Sequence, residues 1–218
     1  MQITMHRALS QLKTTASRFE KEISKSRFIA ITVGQTGTSN GRQVADVERE
    51  IRATYDSVVD LMRNYTALKL GIIRANSGVT DKTQEVEQVE LNGKKYLVAE
   101  IIAIQQFIIP MKERLLAAMA DQLETINNHI ERTNARVSND ISQVLSAVSN
   151  GDKTKLTGDQ VDALTKAHYA NNCEFAVDPL KLTEKIRDLR KEIDELTVAV
   201  DAKLSEVNAL TVIDVDIL

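Results

Sequence analysis

A chain of 218 residues that is 43% hydrophobic is long enough to bury a core and too apolar to stay disordered. Only 8 Gly, 2 Pro and 4% aromatic residues leave too few turn positions for sandwiches, barrels or α/β enzymes, so few, long helices are expected. A formal net charge of -3 supplies no global drive toward nucleic acid or an anionic membrane, and neither these nor a small-molecule substrate is expected as a partner.

Charge is unevenly spread. Residues 1–27 hold six basic side chains against Glu20 and Glu22, whereas residues 182–218 hold five basic and nine acidic ones. Helices of opposite sign tend to lie together, which makes the first and last helices expected neighbours, within a chain or between chains. Cys173 stands alone, so no internal disulfide is possible. The opening Met-Gln-Ile-Thr-Met-His has no basic region followed by an apolar run, so no signal peptide is expected and synthesis in a cytoplasm is. The most apolar segment, 98–109, contains Glu100, Gln105 and Gln106 and falls short of the roughly 20 residues of a membrane span.

In chain order, Thr4 caps a first helix reaching about Ser26, with Met5, Leu9, Leu12, Ala16, Phe19 and Ile23 as its stripe. The β-branched run 28–33 predicts a short strand ended by Gly34, and the polar stretch from Gly34 to Gly41 a loop. A second helix from about Gln43 to Ala75 follows, with Val44, Val47, Ile51, Tyr55, Val58, Met62, Tyr65, Leu68 and Ile72 along one side. Asn92-Gly93 between 86–91 and 95–97 predicts a hairpin, expected to pair with 28–33 or with a terminal strand at 211–215.

The third helix is expected from Val98 to Val148, kinked at Pro110, with its apolar heptad slipping by one residue near Ser138-Asn139-Asp140. A polar loop over 149–155 leads to Thr157 and Gln160, whose spacing is that of a capping box before a short fourth helix. Residues 173–177 read as a connection. Asp178-Pro179 then opens the last helix, read from Leu182 to Leu210, whose apolar stripe is Leu182, Ile186, Leu189, Ile193, Leu196, Val200, Val207 and Leu210. The 4-3 spacing places β-branched residues in one heptad row and Leu in the other, a pattern suited to a two-stranded coiled coil, with an antiparallel partner in the same chain as the alternative. The stripe is the candidate packing and oligomer surface. The expected fold is mainly α, about four long coiled-coil-type helices with a small β-hairpin or sheet, in one elongated domain over 1–218.

A Gly-rich loop between strand and helix is where phosphate is often cradled, but Gly37 and Gly41 are four apart and Arg42-Gln43 stand where a P-loop needs Lys-Ser/Thr. His6, His129 and His168 fall on three different helices with no ligand spacing. Asn127, Asn128 and His129 lie beside an apolar stripe, where polar residues can fix register. Asn64-Tyr65-Thr66 matches a glycosylation sequon in mid-helix. No catalytic residue, cofactor or metal site is expected.

Val177-Asp178-Pro179-Leu180, Ile186, Ile193, Val200-Asp201, the run from Leu204 to Ala209 and Ile213-Asp214-Val215 resemble the septicolysin-like family of bacterial and phage proteins. Upstream, Arg74-Ala75-Asn76-Ser77 and Leu97-Val98-Ala99-Glu100-Ile101 are similar to further stretches of that family. The resemblance implies a coiled-coil helical protein without catalysis, with virion structural proteins among its phage relatives. The expected function is therefore that of a non-enzymatic structural protein of a tailed bacteriophage virion, in head, neck, collar or tail. Its expected partners are copies of itself and other virion proteins. The alternative is a cytoplasmic coiled-coil oligomer or assembly chaperone not retained in the particle.

Overall fold

The structure, a computed structural model, describes residues 2–34, 38–39, 41–78, 88–149 and 157–211. Parts of the Gly34 to Gly41 loop, of the 149–155 loop and of the first hairpin strand lie outside them, as does the expected terminal strand beyond Thr211. The described chain is mainly helical: α1 Met5–Lys25, α2 Val44–Asn76, α3 Val98–Ala103, α4 Ile109–Val148, α5 Gly158–Asn172 and α6 Leu182–Leu210. Its strands form three small antiparallel pairs. The chain read as one domain clusters into two compact units, and α2, α4 and α6 contribute segments to both.

The first unit takes 1–25, 56–118 and 186–218. Thr4 Oγ1 accepts from Arg7 N at 3.3 Å and caps α1. The expected α1 stripe holds in the second half, where Phe19 is buried, and fails in the first, where Met5 and Leu9 are exposed and Ala8 points inward instead. A methyl group there fills little space, which matters for the site below. The α2 stripe behaves as expected, with Val58, Tyr65 and Ile72 buried in this unit.

The hairpin forms around Asn92-Gly93, both at positive φ, with β4 Gln88–Leu91 paired to β5 Lys94–Leu97. It pairs with neither 28–33 nor any other described strand. Glu100 explains how it joins the next helix: one carboxylate oxygen accepts from Leu97 N at 2.9 Å and the other from Arg74 Nε at 2.6 Å, while the side chain is 1% exposed. A kink was expected at Pro110. A π-helical turn over Ile104–Ile108 directly precedes the proline, and Ile109 N donates to Ile104 O. The wider turn meets the loss of the proline N–H and the clash of its ring with the carbonyl four residues back.

The heptad slip near Ser138 breaks nothing, since α4 is continuous from Ile109 to Val148. In α6, Leu182, Ile186, Ile193 and Val200 are buried. Leu189, Leu196 and Val207 are half-buried, and Leu210 is exposed. Most of the stripe is thus already covered within a single chain, leaving chiefly its last turn open.

The second unit takes 26–55 and 119–185. Its β1 Ala30–Val33 pairs with β6 Glu174–Val177, in register from Ala30 opposite Val177 to Val33 opposite Glu174. Residues 173–177, read as a connection, therefore supply the partner that the hairpin was expected to be. Alternation in Glu-Phe-Ala-Val is too short to announce a strand. Two side-chain amides on α4 complete the backbone bonding: Gln122 accepts from Phe28 N at 2.9 Å and donates to Ser26 O at 2.8 Å. Asn134 does the same for Glu174, at 2.8 Å and 3.0 Å. A small pair, β2 Thr38–Ser39 with β3 Arg42–Gln43, lies in the stretch read as loop, with Thr32 Oγ1 donating to Thr38 O at 2.6 Å.

Thr157 caps α5 through the expected capping box with Gln160. The last helix runs over Leu182–Leu210 as its apolar stripe predicts, and Asp178 caps it by accepting from Leu182 N at 2.8 Å, across a turn in which Lys181 takes a φ of 55°.

Candidate functional site: an open groove between α1 and α2

The first unit contains a groove of about 1150 Å³, lined along one side by residues of 2–18 and along the other by residues of 64–75. Both walls are amphipathic helix faces. On α1 the lining residues Met5, Ala8, Gln11, Thr15 and Arg18 recur every three or four positions, and on α2 so do Asn64, Ala67, Leu68, Gly71, Ile72 and Ala75. The side chains at Ala8, Ala67, Gly71 and Ala75 are the smallest available, interleaved on α2 with the larger Leu68 and Ile72. A Cβ added at Gly71 meets nothing within 4 Å. Small residues at three- and four-residue intervals allow another backbone to approach closely.

Of the residues that line the groove, Arg18 is the one that carries a charge. Residues 2–19 and 61–78 include Arg7, Lys13, Arg18, Arg63, Lys69 and Arg74 and no Asp or Glu. Arg63 pairs with Asp60 at 2.9 Å, Arg74 with Glu100, and the Lys69 ammonium sits 3.8 Å from the centre of the Phe107 ring. Among the described residues no carboxylate lies at ion-pair distance from Arg7, Lys13 or Arg18. Beneath the groove, burial raises the Tyr65 phenol above 10.0 by desolvating its charged form.

The residues weighed for chemistry from sequence are dispersed. His6 lies exposed on α1. His129 Nε2 is 3.2 Å from Glu174 Oε2, and His168 Nε2 is 3.2 Å from Val137 O. Among the described residues no group of three or more His, Cys, Asp or Glu is placed to hold a metal ion. Asn127 and Asn128 are exposed. Gly34, the start of the loop compared with a phosphate cradle, has φ +65° and packs against the end of α5: its N–H donates to Cys173 O at 2.8 Å, and a Cβ there would stand 2.8 Å from Ala170 O. These are helix C-terminal carbonyls, the negative end of the dipole. Asn64, in the sequon, lines the groove, while Tyr65 beside it is buried.

The groove itself was not visible from sequence. The acid-free run 61–78 was the available signal; what it lacked was any sign that this run faces the basic first helix. Among the described residues no helix is long and apolar enough to cross a membrane. Compared with protein families, curated protein sequences and solved structures, the chain finds no match in any of the three.

Proposed function

We propose that this chain is a structural, non-enzymatic protein of a tailed bacteriophage particle, an oligomeric helical component of head, neck, collar or tail that works by receiving partner helices. The observation that carries the reading is the α1–α2 groove, in which the small side chains at Ala8, Ala67, Gly71 and Ala75 invite close approach of a helix. The phage setting draws on the resemblance of Val177 to Leu180, Val200-Asp201 and Leu204 to Ala209 to the septicolysin-like family. The 4-3 spacing of α6 supports coiled-coil-type packing as the way its helices assemble.

The test is mass spectrometry of particles purified from lysates of the host that makes the chain. Intact polypeptide in constant ratio to the major particle proteins across a density gradient is the expected result. Its confinement to the particle-free fractions would contradict a virion role and leave a cytoplasmic assembly chaperone.

A further inference from the structure

The hairpin turn at Asn92-Gly93 sets an unrestrained carboxamide beside an unrestrained amide nitrogen. Both residues are exposed, and both take a positive φ, 50° and 73°. Strand pairing closes at Leu91 opposite Lys94, and among the described residues Gly93 N makes no backbone hydrogen bond. None holds the Asn92 side chain either. A Cβ at Gly93 would meet nothing within 4 Å, so nothing crowds that nitrogen. The other described asparagines are fixed. Most lie inside helices, where the following N–H is bonded to a carbonyl one turn back. Asn76 is followed by Ser77 N, which donates to Ile73 O at 3.0 Å, and Asn172 by Cys173 N, which donates to Tyr169 O at 3.0 Å. The Asn134 amide is held as well by both backbone groups of Glu174.

From this contrast we infer that Asn92 is a site of spontaneous covalent modification in the folded chain, where it deamidates to aspartate and isoaspartate. Hydroxide removes the Gly93 amide proton, and the freed nitrogen attacks Cγ of Asn92. The new N–C bond closes a cyclic imide while the side-chain nitrogen leaves as ammonia, taking a proton from water and regenerating hydroxide. Water then opens the imide. Breaking the side-chain bond gives aspartate, and breaking the main-chain bond gives isoaspartate, in which the backbone runs through the former side chain. The two products act differently on the fold. Asp-Gly suits the same turn, so aspartate keeps the register. Isoaspartate adds a methylene to a two-residue turn whose length sets that register, and so displaces the buried Leu91 and Leu97 relative to one another. Leu97 also donates its N–H to Glu100, so the disturbance reaches the start of α3. The inference is independent of the groove.

Timed incubation of the purified full chain under native, mildly alkaline conditions, followed by peptide mapping with mass spectrometry, tests it. Isoaspartate is counted by labelling with an isoaspartate-specific carboxyl methyltransferase and a radioactive sulfonium methyl donor. Asn40 and Asn150 also precede glycine and lie outside the described residues, so the map scores each site separately. The expected result is conversion at Asn92 at least about tenfold faster than at Asn76, with a rate that rises with pH. Asn92→Gly, which keeps a Gly-Gly turn of the same type, removes the label from the peptide spanning 88–97. Hydrogen exchange on the separated forms should be faster over 88–97 in the isoaspartyl chain and unchanged in the Asn92→Asp variant. A native chain in which Asn92 converts no faster than Asn76, while the same chain in denaturant converts it readily, overturns the inference by showing that the folded turn protects the site. Label that persists on that peptide in Asn92→Gly overturns it too, and an isoaspartyl chain with unaltered exchange refutes the shift of register.

Discussion

The Arg74–Glu100 pair is asymmetric in a way that mutagenesis can read. The Glu100 side chain is 1% exposed and the Arg74 side chain 51%. Removing the guanidinium by Arg74→Met leaves a buried carboxylate with one remaining donor, Leu97 N, and stranding a buried charge costs about 3 to 5 kcal/mol. Because Arg74 is half open to water, the low end, about 3 kcal/mol, applies here. Glu100→Gln leaves behind a guanidinium that water can solvate. The amide oxygen still accepts from Leu97 N, but the NH2 group, which cannot accept from Arg74 Nε, is left without an acceptor, so the cost is about 1 to 3 kcal/mol. Urea titrations followed by circular dichroism compare the two, together with the double variant, which should cost about 1 to 2 kcal/mol less than the sum of the singles. At roughly 2 to 4 °C per kcal/mol for a chain of this size, Arg74→Met lowers the melting midpoint by roughly 6 to 12 °C. If Glu100→Gln proves the more damaging substitution, or if the two effects simply add, the assignment of Glu100 as the desolvated partner is wrong.

Other outcomes follow from the same contacts. Gly34→Ala forces a positive φ on a side chain whose Cβ meets Ala170 O at 2.8 Å, whereas at Gly41, also of positive φ, a Cβ meets nothing within 4 Å. Denaturation should therefore show Gly34→Ala costing clearly more than the roughly 1 kcal/mol of left-handed strain expected at Gly41→Ala; equal costs would refute the close approach. Asn134→Ala orphans both backbone groups of Glu174 and should cost about 1 to 3 kcal/mol, with faster hydrogen exchange at β6. Thr157→Ala removes the α5 cap at about 1 kcal/mol, read in the same way on α5. The buried Tyr65 phenol is held neutral above 10.0, so its contribution is fully present below pH 10 and is lost as pH rises through the elevated folded value. Ultraviolet titration should show one tyrosine ionising late, absent in Tyr65→Phe, and the stability of that variant should fall less steeply above pH 10.

Much of the helical framework was legible because its signals are local. Thr157 with Gln160, Asn92-Gly93 and the apolar rows of α2 and α6 each depend on side chains a few residues apart, and each appears where the pattern put it. What was misread depends on distant partners. The strand at Glu174–Val177 exists because Ala30–Val33 and the Asn134 amide meet it, and nothing in four residues foretells that. Pro110 announced a disturbance, but not that a π turn would precede it among the buried Ile104, Ile108 and Ile109. The first helix shows the limit most clearly. Leu9 belongs to its apolar row yet lies exposed, while Ala8, one position away, is buried against the groove. A heptad count gives the stripe and cannot say which of two adjacent rows finds a neighbour.

The claim on which the functional account depends is that a helix enters the α1–α2 groove over Gly71. A nitroxide attached to Gly71→Cys in a Cys173→Ser background reports on it directly, because Gly71 lines the groove and a Cβ there meets nothing within 4 Å in a single chain. The spectrum should be that of a mobile surface label in dilute solution and become immobilised as the chain associates. A label that remains equally mobile in the fully associated protein would show that nothing docks there.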